Sequence, residues 1–93
     1  MTELLSSDEI TAKLTRLSGW EIDGNTIRCV RTFQDFIAAV KFVNKLVEPS
    51  EEAGHHPDLI ISYNKVTITL TTHDAGGLTA KDFALAKEFY YLT

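Results

Sequence analysis

Apolar residues recur along the chain with two different periods, and these periods predict its helices and strands. A spacing of three or four residues predicts helices over residues 10–17, 36–47 and 85–92. Between them, apolar and polar residues alternate on either side of short turns, which predicts two strand pairs. The order is helix, two strands, helix, two strands, helix. We therefore expect an α+β fold with a four-stranded antiparallel sheet and helices packed on one face.

Polar residues at the predicted helix starts support this division. A hydroxyl or carboxylate at the first position, with an acid three residues later, satisfies free amides at a helix N-terminus. The three pairs with this spacing are Ser6 and Glu9, Thr32 and Asp35, and Thr79 and Asp82. Pro49 interrupts the second helical pattern: it either ends the helix near Val47 or takes the first position of a further short turn. We favour the further turn, because residues 50–53 are competent helix formers.

The length, net charge and cysteine content of the chain restrict the class of protein. A length of 93 residues predicts a single domain over 1–93, and a net charge of −4 disfavours nucleic-acid binding, which needs a basic face. Cys29 is the one cysteine, so it has no intrachain disulfide partner. The acidic N-terminus does not resemble a secretory signal, and no apolar run reaches the length of a membrane span. We expect a cytoplasmic protein that binds neither nucleic acid nor membrane.

The second strand pair gives the sharpest structural prediction. A two-residue turn at Asn64-Lys65 places Tyr63 opposite Val66 and keeps the apolar residues of both strands on one side of the sheet. Continued along the hairpin, the same register places His56 opposite His73 on the other side.

Three histidines lie at the ends of this hairpin, and histidine is the side chain whose ordinary pKa is closest to neutral. We expect His55, His56 and His73 to line one cleft and to transfer protons there. Pro57 stiffens the entrance to the strand. Glu51 is one helical turn before His55, so it is expected to accept a hydrogen bond from that imidazole.

These residues also fit other interpretations. The histidines are also compatible with a polar surface or with a zinc site. Zinc is disfavoured because adjacent residues rarely bind one ion and no HxH or HExxH spacing is present. Asp82 is favoured as a helix cap over a chemical role. Apolar residues around the last helix suggest the core, a subunit contact or a partner surface; they are Phe83, Leu85, Phe89 and Tyr90.

The spacing of these polar residues resembles the signature of the pterin-4a-carbinolamine dehydratases. The matching positions are Glu51, His55, His56, Pro57, Tyr63, His73 and Asp82. The resemblance implies loss of water from a 4a-hydroxytetrahydropterin to give a quinonoid dihydropterin. It also implies a protein with no metal and no redox cofactor, active as a homodimer or homotetramer.

By the same resemblance, His55 and His73 are acid/base groups, and His56 is a further acid or an orienting group. Pro57, Thr72 and Asp74 are expected to bind the pterin. Glu51 and Asp82 would hold the histidines in position without contacting the pterin. Some relatives act as dimerisation cofactors of a transcription factor or assist protein assembly, so a non-enzymatic interaction module is the alternative.

Overall fold

The computed structural model describes residues 3–92, and its elements follow the predicted order. The helices are α1 (Ser7–Leu14), α2 (Phe36–Ala53) and α3 (Ala80–Tyr90); the strands are β1 (Trp20–Asp23), β2 (Thr26–Thr32), β3 (Asp58–Ser62) and β4 (Lys65–Leu70). A single 3₁₀ turn, His73–Ala75, lies between β4 and α3. The α+β fold predicted from the sequence is confirmed.

The strands form one antiparallel sheet in the order β1-β2-β4-β3. Because β4 pairs with both β2 and β3, it is a central strand, and its apolar residues Val66, Ile68 and Leu70 are fully buried. The edge strand β3 is exposed along its whole length. The end of β4 therefore brings the segment after it next to the core.

The predicted register of the second hairpin is wrong by two residues. Ile61 pairs with Val66 and Leu59 with Ile68, so the turn is Tyr63-Asn64. The Asn64 side chain donates to the carbonyl of Phe33 at 3.0 Å, and the Asn64 carbonyl accepts from the Phe33 amide at 2.8 Å. These bonds to the end of β2 hold the turn in place. Since the shift is even, each side chain stays on its predicted face.

The core lies between this sheet and the helices that cover one of its faces. Its main members are Trp20, Ile27, Cys29, Phe42, Leu46, Val66, Ile68, Leu70, Phe83, Leu85, Ala86 and Phe89. Three of the apolar residues considered for a partner surface on α3, namely Phe83, Leu85 and Phe89, are buried in this core. That part of the partner-surface hypothesis is therefore wrong.

Helix α2 continues through Pro49, so the predicted separate turn does not form. Its buried positions Ala39, Phe42, Leu46 and Ser50 form one stripe that runs past the proline. Within that stripe the Ser50 hydroxyl donates to the Leu46 carbonyl at 2.7 Å. Burial of the stripe overrides the local disfavour for proline in a helix interior. The helix ends at Gly54, which adopts a left-handed φ of 60° and turns the chain toward the histidines.

Across residues 3–92, the structure contains no helix that is long and apolar enough to cross a membrane.

Candidate active site

The carboxylate of Asp82 is the centre of a buried polar cluster at the start of α3. Its side chain is fully buried. One oxygen, Oδ1, lies 2.6 Å from Nε2 of His55. The other, Oδ2, accepts from the amide of Thr79 at 2.9 Å and from the hydroxyl of Thr72 at 2.8 Å. Each carboxylate oxygen is thus satisfied, as burial of a charged group requires.

Two threonine hydroxyls extend this cluster in a fixed direction. Thr72 donates its only hydroxyl proton to Asp82, so the 2.7 Å bond between the Thr72 and Thr79 oxygens has Thr79 as its donor. The Thr79 oxygen also accepts from the amide of Lys81 at 3.2 Å. The same residues therefore cap α3 and hold the carboxylate against His55. The spacing of Thr79 and Asp82 indicated the cap, and the family resemblance implied that Asp82 supports a histidine without saying which one.

The position of Asp82 fixes how His55 presents its ring. An ionised carboxylate can only accept a hydrogen bond, so Nε2 of His55 carries the proton in this contact. Nδ1 is then the nitrogen left to face a ligand. The His55 side chain is 11% exposed, so the ring is mostly enclosed while solvent still reaches it. A positioned, partly enclosed imidazole is suited to proton transfer.

The prediction that Glu51 supports His55 is wrong, because Glu51 contacts the next residue. Its Oε2 lies 2.5 Å from Nε2 of His56, and both side chains are largely exposed. Gly54 turns the chain after α2, which places His56 within reach of Glu51 and directs His55 to Asp82. The two adjacent histidines therefore have one carboxylate partner each.

His73 is the first residue of the 3₁₀ turn and is exposed, as is Asp74 beside it. No hydrogen bond of either side chain is found within residues 3–92. The turn is anchored by Thr72, whose amide donates to the Gly77 carbonyl at 3.0 Å. Its left-handed Gly76, with φ 78°, closes the turn. The His73 ring is thus held through its backbone and left open to a ligand.

The histidines are connected by a different route from the one predicted. With the observed register, neither His56 nor His73 lies in a strand, so they do not form the predicted cross-strand pair. The link is instead Thr72, which hydrogen-bonds to the carboxylate that holds His55 and directly precedes His73. His55 and His73 thus belong to one structural unit, whereas His56 is held from the α2 side by Glu51.

Thr72 was predicted to bind the pterin, but its polar groups are already used within the chain. Its hydroxyl contacts Asp82 and Thr79, its amide donates to Gly77, and its carbonyl accepts from the amides of the turn. We therefore assign Thr72 to support of the site, and the role expected for Asp74 at the pterin edge stays a prediction.

A cleft of about 240 Å³ opens beside His56 and Pro57, between α2 and β3. Its apolar wall includes Val43, Leu46 and Leu59. The cleft gives a flat, partly apolar molecule a surface to pack against. Pro57, predicted as a binding residue, lines this cleft; His55 and His73 do not.

The described part of the chain contains no group of three or more histidine, cysteine, aspartate or glutamate side chains that could hold a metal ion. The two carboxylates nearest the histidines each contact a different ring.

Comparison with known proteins agrees with the resemblance drawn from the motif. A family model described as Pterin 4 alpha carbinolamine dehydratase matches residues 3–91. The chain belongs to this family.

Relatives of similar length support the membership in the pterin-4a-carbinolamine dehydratase family. A protein of Cyanothece sp., provisionally named pterin-4-alpha-carbinolamine dehydratase, is 66% identical over 87 residues, or 94% of this chain and 90% of its own length. A protein of Nostoc sp. with the same provisional name is 62% identical and covers 92% of each chain.

Two solved structures share the architecture of this family. A transcriptional coactivator/pterin dehydratase from Brucella melitensis is 33% identical, with a TM-score of 0.86, over 91% of this chain and 93% of its own. A pterin dehydratase-like protein identified as a RuBisCO assembly factor in the alpha-carboxysome has a TM-score of 0.61 at 22% identity, over 76% of this chain and 82% of its own. The second likeness shows the fold alone.

Proposed function

We propose that this protein removes water from a 4a-hydroxytetrahydropterin, with histidines as acid and base. The observation that carries the proposal is the 2.6 Å contact between His55 and the buried carboxylate of Asp82. A purely structural cap for α3 needs no imidazole, and the Ser6–Glu9 capping box of α1 has none. The family membership supplies the substrate class.

The reaction needs two proton transfers and no electron transfer. A base removes the proton from N5, the C4a–N5 double bond forms, and the bond from C4a to its hydroxyl breaks. An acid gives the departing hydroxyl a proton, so water leaves. Imidazoles act in both directions near neutral pH, and one well-placed acid or base contributes about 10²–10⁴-fold. The products are a quinonoid dihydropterin and water, and no cofactor is consumed.

We assign the two proton transfers to His55 and His73. His55 offers Nδ1, because Nε2 is occupied by Asp82. His73 is exposed and belongs to the same structural unit through Thr72. His56, held by Glu51, lies at the cleft beside Pro57 and orients the pterin or provides a further acid. We assign Asp74, which is exposed in the 3₁₀ turn, to accept from the donor groups of the pterin ring.

The test is the decay of chemically prepared 4a-hydroxytetrahydropterin, followed by absorbance with and without purified protein. Acceleration that is saturable in substrate and proportional to protein is expected. The same assay after exhaustive treatment with chelator should give an unchanged rate. A decay rate equal to that of buffer, with a folded protein, would contradict the proposal. The chain would then be better described as an interaction module of the same fold.

A further inference from the structure

A groove of about 530 Å³ lies away from the histidines, between α1 and α3. Leu17 and Phe83, both almost fully buried, form part of its apolar lining. Ala80 and Ala84 add two small side chains one helical turn apart on α3. Small residues at this spacing let another backbone approach closely.

The charges of this groove are all of one sign. Lys13 and Arg16 line one side and Lys87 lines the other, and all three are exposed. No carboxylate lines the groove. Glu9 on α1 accepts from the Ser6 amide at 2.9 Å, and its pKa is lowered mainly by its hydrogen bonds to Ser6 and to a smaller extent by the charge of Lys13. A chain with a net charge of −4 thus presents a cationic groove on this surface.

None of these three cations forms a salt bridge within the part of the chain that the structure describes. The salt bridges of His55 and His56 have other partners, Asp82 and Glu51. Two tyrosines complete the lining, Tyr90 and Tyr91, whose rings meet edge to face at 5.2 Å. Tyr91 is 71% exposed, so its ring is accessible to a molecule bound in the groove.

The separation of charge from apolar surface indicates the chemistry of the occupant. A compact phosphate is bound by donors that converge on one point, whereas here the cations stand on opposite sides of an apolar strip. This arrangement complements an amphipathic helix with an apolar face and acidic flanks, laid along the groove between two helices. Aromatic residues and arginine at the edge are typical of protein contact surfaces.

We propose that the groove between α1 and α3 binds an acidic amphipathic helix of a partner protein. The apolar face of that helix packs on the exposed side chains Ala80, Ala84 and Tyr91, which lie over the buried Leu17 and Phe83. Its carboxylates face Lys13, Arg16 and Lys87. Neither the catalytic proposal nor the residues assigned to it are needed for this contact.

The probe is a synthetic helix of about 15 residues with leucines on one face and glutamates on both flanks, fluorescently labelled at one end. Binding to the wild-type chain is measured by anisotropy at low and high salt. The matched protein control is Lys65→Glu, which reverses one exposed charge on β4 outside the groove. The matched peptide control replaces each glutamate with lysine.

We expect saturable binding that weakens with salt, and at least about a tenfold loss in Arg16→Glu and Lys87→Glu. Lys65→Glu and the wild-type chain should bind alike. Arg16→Gln and Lys87→Gln, which remove charge without reversing it, should show smaller losses and guard against misfolding. Dehydratase turnover should be unchanged in all five variants.

Three results would overturn the proposal: no binding of the acidic helix, equal binding of the lysine peptide, or losses as large in Lys65→Glu as in the groove variants. Vesicles with anionic lipid provide a further arm. If they bind through the same three cations while the peptide does not, the groove recognises a membrane surface and the helix proposal is wrong.

Discussion

Oδ1 of Asp82 lies 2.6 Å from Nε2 of His55, although 27 positions separate the two residues in the chain. The contact joins the first turn of α3 to the segment that follows α2. Because the same carboxylate accepts from the Thr79 amide, one side chain both caps a helix and orients an imidazole. Stability of α3 and geometry of the site are therefore coupled at Asp82.

Asp82→Asn tests the role of Asp82 in orienting His55. A variant of the cap of α1 controls for the loss of helix capping. An asparagine turned with its NH₂ toward His55 requires Nε2 to accept, which moves the ring proton to Nδ1 and reverses the protonation of the nitrogen proposed to face the substrate. We expect a loss of about 10²–10⁴-fold in kcat. The weakened cap and hydrogen bonds should also cost about 1–2 kcal/mol in the free energy of unfolding.

The matched control is Glu9→Gln, which changes the acid of the capping box in α1 without touching a histidine. It should leave kcat unchanged. Turnover and urea unfolding are measured for both variants. If Asp82→Asn keeps full turnover at a temperature where it is folded, the orienting role of Asp82 is wrong.

His73→Ala should lower turnover by about 10²–10⁴-fold and leave the melting temperature unchanged. The first effect follows from the proposed proton transfer. The second follows from the exposure of the side chain and from its lack of a hydrogen bond within residues 3–92. His73→Gln keeps a polar side chain of similar size but cannot exchange a proton near neutral pH. It should be as slow as His73→Ala, and recovery of turnover in the glutamine variant would reduce His73 to a binding role.

The helix starts could be predicted from the sequence because their signals are local. Ser6 and Glu9 form the predicted box, Asp35 accepts from the Ala38 amide at 2.8 Å, and Thr79 caps α3. Each of these contacts spans two or three residues, so spacing alone identifies it. For the second helix, however, the cap is Asp35 and not Thr32, which belongs to β2.

The register of the second hairpin could not be predicted in the same way. Moving the turn by one position changes every pairing by two residues, and a shift of two keeps each side chain on its face. Alternation of apolar residues therefore fits both registers equally well. The structure selects between them through Phe33, which bonds to Asn64 from another strand pair. Tyr63 accepts a left-handed φ of 53° as a result, which no propensity rule favours for tyrosine.

The pairing of carboxylates with histidines depended on the same kind of tertiary detail. Glu51 has the spacing to reach either imidazole, and the choice is made by the direction of the chain after Gly54. The residue types of the site were accessible from the sequence. The contacts were not, because a fully buried acid such as Asp82 reaches its partner only after α3 packs on the sheet.

Arg31→Gln should destabilise the fold without affecting the site. The guanidinium donates to the carbonyl oxygens of Leu92 at 3.1 Å and Tyr90 at 3.3 Å, at the C-terminal end of α3, and lies 5.3 Å from the centre of the Phe42 ring. A cation at a helix C-terminus and over an aromatic ring is favourable on both counts. We expect a loss of about 1–3 kcal/mol in urea unfolding.

The control for Arg31 is Arg28→Gln on the same strand, whose side chain is exposed and opposite Glu21. A change within about 0.5 kcal/mol is expected there. Equal losses in both variants would show that a general charge effect, and not the contact with α3, accounts for the result.

Burial raises the pKa of the Cys29 thiol above its ordinary value of 9.0, although the nearby Arg31 opposes this shift. The folded chain therefore holds the thiol proton more tightly than the unfolded chain does. Below pH 9.0 both states are protonated, and above it the unfolded state ionises first, so stability falls as the pH rises toward the raised pKa.

Cys29→Ala lacks this titration while every other group still titrates. The stability advantage of the wild-type chain over Cys29→Ala should narrow between about pH 8 and pH 10 in urea unfolding with a reductant present. A constant difference across that range would show that the thiol is not held in its neutral form by burial.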